Sequence, residues 1–131
     1  MRLILTVGVL VALATAAAAS AAPGFRTPSR NIGCTYATAP TVLRCDVLSG
    51  LQPEPRRRCE LDWTGISLAP TGRAVPTCAG DTAYPHGAPV LAYGRTWKRG
   101  GISCVSRRAA LRCRNRSGHG FELARERWKL F

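Results

Sequence analysis

The sequence predicts a mainly β protein, a small antiparallel barrel or sandwich of hairpins stabilised by disulfides. Three observations lead there. Short runs of alternating apolar and polar residues are separated by frequent glycine and proline, and no long amphipathic helical pattern occurs. Six cysteines, an even number, all lie beyond an apolar N-terminal segment. Two stretches repeat one pattern: Ile32-Gly33-Cys34 followed by Leu43-Arg44-Cys45, and Ile102-Ser103-Cys104 followed by Leu111-Arg112-Cys113.

In chain order, Met1-Arg2 is followed by an uncharged apolar stretch from Leu3 to Leu13 and then small residues to Ala22. That order is a secretory signal peptide, expected over residues 1–21 with cleavage after Ala21 or Ala19. A transmembrane anchor is the rival reading, since about 20 residues suffice to span. Its second half is nearly all alanine and no charged anchor follows, which favours cleavage and no membrane span thereafter. The first cysteine, Cys34, lies too far on for a lipid-attachment site. Residues 22–131 are then one domain, with few large apolar side chains and a need for covalent staples.

Residues 23–29 read as an extended entry with Phe25 as a packing anchor. Residues 31–36 and 42–48 read as the first hairpin. Residues 50–58 form a loop broken by Gly50, Pro53 and Pro55. Residues 59–63 and 66–68 are short strands around Thr64-Gly65, and residues 75–78 are another extended piece. After a loop at 84–89, strands are expected at 90–93, 96–98, 101–105 and 111–114, then a polar turn at 115–120. The tail combines two spacings. Phe121 and Leu123 alternate as in a strand, whereas Phe121, Ala124, Trp128 and Phe131 recur as on a helix. A short strand at 121–124 followed by a helical turn accommodates both.

In an antiparallel hairpin, directly opposed residues come within disulfide reach. The two repeated stretches therefore pair Cys34–Cys45 and Cys104–Cys113, which leaves Cys59–Cys78 to close the middle. Loop closure contributes roughly 3 kcal/mol per bridge, about 9 for three. A whole domain is stable by about 5–15 kcal/mol, so the reduced chain is expected to be largely unfolded. Thiolate metal sites and redox centres call for Cys-x-x-Cys, which the sequence lacks. No metal and no cofactor is expected.

Several motifs occur in a fixed order: residues 25–34 (FRTPSRNIGC), Leu43-Arg44-Cys45-Asp46, Leu61-Asp62-Trp63, Cys78-Ala79-Gly80-Asp81-Thr82, Tyr93-Gly94, Gly118-His119-Gly120-Phe121, Arg125-Glu126 and Leu130-Phe131. With this set the chain resembles a family of small exported actinobacterial proteins, mycobacterial ones included, that is known as a domain of unknown function. The resemblance covers essentially the whole mature chain. It implies export and a shared disulfide pattern, and brings no activity, substrate or catalytic residue with it.

The formal charge is +12, and loss of Arg2 leaves +11; of 19 basic residues only Lys98 and Lys129 are lysine. Such a balance suits a surface for anionic glycan, lipid head groups or another polyanion. Arg56, Arg57 and Arg58, together with Arg107, Arg108, Arg112, Arg114 and Arg116, are the residues to carry it. Arg112 and Arg114 share one strand face, opposite Leu111 and Cys113. Arginine richness also follows from nucleotide composition and keeps an exported protein soluble. Sequence-specific nucleic-acid reading is not expected, because no reading helix is evident.

For catalysis, His119 between two glycines, with Glu122 three residues on, is the one acid–base pair on offer. A structural turn histidine has the same appearance. No Gly-x-Ser-x-Gly elbow or calcium loop occurs. Asp62 is placed to pair with an arginine, and Trp63, Trp97 and Trp128 are expected to pack the core. The reading is a non-enzymatic, monomeric, exported binding module. A small secreted hydrolase using His119 and Glu122, or a passive structural envelope protein, are the alternatives.

Overall fold

The computed structural model describes residues 9–13 and 23–131. The segment 9–13 has no regular secondary structure. The expected cleavage positions, Ala19 and Ala21, lie outside the described residues. No described helix is long and apolar enough to cross a membrane.

The described chain is all strand, turn and coil. Five strands form one antiparallel sheet in chain order: β1 (Gly24–Arg26), β2 (Ile32–Thr38), β3 (Thr41–Val47), β4 (Asp62–Leu68) and β5 (Val75–Ala79). Five more form a second, also in chain order: β6 (Thr96–Arg99), β7 (Ile102–Ser106), β8 (Leu111–Arg114), β9 (Gly120–Leu123) and β10 (Trp128–Leu130). Both sheets are meanders. Their inner faces meet in one core, where Leu43, Ile66 and Leu68 of the first pack with Leu111, Phe121 and Leu123 of the second. This is the disulfide-stabilised β fold that the alternation and turn signals predict.

Two bridges cross the centre of the sheets. Cys34 opposes Cys45 and Cys104 opposes Cys113, each pair with Cα atoms 4.0 Å apart. All four cysteines are fully buried. The third bridge joins Cys59 to Cys78, with Cα atoms 5.9 Å apart, and ties the chain entering β4 to β5.

The repeat extends beyond the two hairpins. Ile66 lies beside Cys45 as Phe121 lies beside Cys113, and Leu68 beside Leu43 as Leu123 beside Leu111. Gly65 and Gly120 occupy matching positions, next to Asp46 and Arg114. A Cβ on Gly65 would fall 1.8 Å from the Cys45 carbonyl oxygen, and one on Gly120 1.9 Å from that of Cys113. Only glycine lets the third strand lie this close to the bridged one. On the other flank Phe25 opposes Cys34 and Trp97 opposes Cys104. Those two rings touch each other, with centroids 5.4 Å apart. The two sheets are thus versions of one five-stranded unit, joined where equivalent aromatic residues meet.

Three expectations are revised. Residues 59–63 and 66–68 are not separate strands around a turn: β4 runs unbroken through Thr64-Gly65, with a bulge between Trp63 and Gly65 that absorbs the irregularity. Residues 90–93 form no strand. Val90 makes one isolated parallel bridge to Arg26, and the chain then turns, Arg95 N donating to Ala92 O at 3.0 Å. The tail has no helical turn. Ala124 N donates to Arg127 O at 2.9 Å, which closes a four-residue turn and returns the chain along the open edge of β9 as β10. An available ladder outweighs a helical spacing too short to nucleate.

Candidate functional site: an arginine-lined cleft

Three turns converge at one end of the sandwich. The first, between β1 and β2, is closed by Arg30 N donating to Thr27 O at 2.8 Å and Thr27 N to Ile32 O at 2.9 Å. Arg30 itself is left-handed, with φ of 60°, and its carbonyl accepts a hydrogen bond from the Tyr84 hydroxyl. The second turn, between β7 and β8, carries Arg107 and Arg108, with Arg107 N donating to Ala110 O at 3.2 Å. The third is the β9–β10 turn with Arg125 and Arg127. The Arg127 Nη2 donates to Ala109 O at 2.7 Å and clamps the last two turns together. Arg108 lies over the Tyr93 ring, 5.0 Å from its centroid.

Between them the turns enclose a cleft of about 780 Å³, within the size range of small-ligand sites. Five arginines line it, Arg30, Arg107, Arg108, Arg125 and Arg127, against one carboxylate, Glu126. No ion pair among the described residues engages any of these six. Leu111 and Leu123, both buried, form part of its floor. Asn31 lies in its wall, and the Asn31 Nδ2 is a buried donor with no partner among the described residues. Guanidinium groups in this number suit bidentate recognition of phosphate, sulfate or carboxylate oxygens.

The remaining basic residues singled out in the sequence lie elsewhere. Arg112 and Arg114 are exposed on the outer face of β8; the Arg112 Nη1 is 3.0 Å from the Glu122 Oε1 and its guanidinium lies 4.1 Å from the Phe131 ring centroid. Arg56 and Arg57 line a separate groove with Arg73 and Trp128. Arg57 sits 5.9 Å from the Trp63 ring centroid, and Arg58 pairs with Glu60 at 3.3 Å. Of the sequence-selected arginines, only Arg107 and Arg108 reach the cleft. Arg30, Arg125 and Arg127 escaped sequence reasoning because they come from two different turns, and nothing local marks them as neighbours.

Negative charge is gathered too. Four of the seven carboxylates, Asp46, Glu54, Asp62 and Asp81, line a second cleft of about 490 Å³. Asp62 makes no ion pair among the described residues, whereas Arg44 reaches Asp46 at 2.9 Å and Asp81 at 3.5 Å. Among the described residues no group of three or more histidine, cysteine or acidic side chains is placed to hold a metal ion.

His119 belongs to a turn organised by Asn115. The Asn115 Oδ1 accepts from His119 N and Ser117 N, each at 3.1 Å, and its Nδ2 donates to Ala69 O at 3.0 Å and Gly72 O at 2.7 Å. The turn thereby locks the second sheet to the β4–β5 connection of the first. Glu122 is engaged with Arg112, and no hydrogen bond joins it to His119. Trp63, Trp97 and Trp128 are half-buried against the core, and the Trp128 Nε1 donates to Pro53 O at 2.7 Å.

No curated protein and no solved structure matches the chain. A family model does, over residues 5–131, nearly the full length. The chain belongs to DUF6636, a family of unknown function.

Proposed function

We propose that the protein is an exported, monomeric binding module without catalytic turnover, and that it grips an anionic component of the envelope or of a host surface with the arginine-lined cleft. Three disulfides in so small a chain fit an extracellular location. The observation that carries the reading is the imbalance in the cleft: five arginines from three turns, one carboxylate, and no internal ion pair among them. Like charges brought together without ion-pair partners repel, so the arrangement costs stability that an incoming anion returns.

Chromatography on immobilised heparin tests this. The protein is expected to be retained at low salt and released at moderate salt. Replacing Arg107, Arg108 and Arg125 by serine should move elution clearly earlier. The Arg56→Ser/Arg57→Ser double variant removes charge outside the cleft and should elute close to the parent. Absence of retention at low salt, or equal shifts for both sets of variants, would overturn the assignment.

A further inference from the structure

The proposed reading leaves the class of anion open, and the walls of the cleft narrow it. A hydrated polyanion needs only charge. This cleft also presents apolar surface to solvent at its rim. Leu48, the residue after β3, is 56% exposed where this cleft borders the acidic one, and Tyr93 is 43% exposed. Ala109, Ala110 and Ala124 line the same cleft. Leu48 is fixed in place, since its N donates to Asn31 O at 2.8 Å and ties it to the Arg30 turn. Large side chains left in water beside a cluster of cations make an amphipathic end, the pattern that binds at a charged membrane surface.

We propose that this end of the sandwich docks on an anionic lipid surface. The inference rests on the anion-binding reading of the same cleft. Arg30, Arg107 and Arg125 meet the head-group phosphates, their stems lying along apolar surface and their guanidiniums reaching the oxygens, while Arg108 over Tyr93 and Arg127 on Ala109 O add positive charge beside them. Leu48 and Tyr93 enter the boundary between head groups and acyl chains, where an aromatic ring with a polar edge is well accommodated. Charge complementarity selects the lipid: one carboxylate, Glu126, opposes five cations.

The test uses the oxidised protein recovered after export, sedimented with vesicles of phosphatidylcholine alone or mixed with phosphatidylglycerol. Binding is expected to the mixed vesicles at low salt and at least about tenfold weaker to phosphatidylcholine. Leu48→Ser should lower partitioning about tenfold, the weight of one apolar side chain withdrawn from water. Its heparin elution should be unchanged, which also reports an intact fold. Excess glycerol phosphate, the soluble head group, should not displace the protein from the vesicles. Displacement would mean the site takes a free phosphate ester, and would overturn the lipid proposal. Retention on heparin with no preference for phosphatidylglycerol, or with Leu48→Ser indistinguishable from the parent on vesicles, would overturn it too and leave the anion-binding reading standing. Loss of both heparin and vesicle binding would overturn both.

Discussion

Asp46 and Arg114 hold the same place in the two sheets, one residue past the second bridged cysteine and beside the glycine of the next strand. Their surroundings differ completely. Asp46 is 1% exposed. It accepts from the Arg44 Nε and Nη2, both at 2.9 Å, and from Ala83 N at 2.8 Å. Arg44 also donates to Asp81 O at 2.8 Å, and the Thr35 hydroxyl to Ala83 O at 2.6 Å. Burial works against the Arg44 charge, but the hydrogen bond and attraction from Asp46, with a smaller share from Asp81, outweigh it and hold the guanidinium above its ordinary pKa. The segment around residues 81–84 is thereby docked over the first sheet, with Tyr84 buried. On the second sheet the equivalent positions are Arg112 and Arg114, both exposed. One repeated frame therefore supports a closed outer face and an open one. A carboxylate at this position gathers donors from a passing loop, and an arginine there leaves the face to solvent.

Substitutions at the paired positions break or sharpen that comparison. Asp46→Ala leaves the Ala83 amide without its acceptor and Arg44 with only Asp81 and Thr64 among the described residues. Full loss of one partner of a buried pair costs about 3–5 kcal/mol, and the partly exposed Arg44 puts this variant toward the lower end. Arg114→Ala, on the open face, should cost less than about 0.5 kcal/mol. Urea unfolding of the oxidised variants measures both, and similar costs would erase the distinction between the faces. Next come the two glycines. Gly65→Ala and Gly120→Ala both drive a methyl against a cysteine carbonyl, and each should cost about 1–3 kcal/mol by the same measurement. The two costs should agree, since the frame beneath both faces is the same; a clear inequality would show that the repeat is looser in one half. A smaller effect than at the glycines, and of opposite sign, is expected at Arg30, whose carbonyl holds Tyr84 of the closed face while its side chain lines the cleft. Asparagine tolerates the left-handed backbone better, so Arg30→Asn should gain about 0.5–1 kcal/mol in stability. It should also elute earlier from heparin. A stability loss instead would show that the arginine side chain helps to hold the loop.

The sequence made part of this readable and hid the rest for physical reasons. The twin Ile-x-Cys and Leu-Arg-Cys patterns placed both central hairpins, because alternation and opposition act between near neighbours in the chain. The third member of each repeat stayed hidden. Gly65-Ile66-Ser67-Leu68 and Gly120-Phe121-Glu122-Leu123 share only their glycine and leucine, and glycine in isolation reads as a turn. Here it marks close approach of two backbones, which local composition does not encode. The β10 strand was masked by a helical spacing, and only the free edge of β9 decides between them. The cleft was half visible. Arg107 and Arg108 stood out as adjacent charges, whereas Arg30, Arg125 and Arg127 join them through the meander's return to one end. The sequence grouped Arg112 and Arg114 with Arg107 and Arg108, although pleat alternation turns them onto another face.

The three bridges differ in their accessibility to other thiols. Cys78 is exposed and Cys59 half-buried, whereas Cys34, Cys45, Cys104 and Cys113 are sealed in the interior. Exchange requires a thiolate to reach sulfur in line, so a small reductant attacks the surface bridge at once and the inner two only when a sheet parts. Mild reduction should yield a long-lived species with four protected sulfurs and both sheets still cross-linked. The rate at which the last two bonds disappear would then time the opening of the molecule itself.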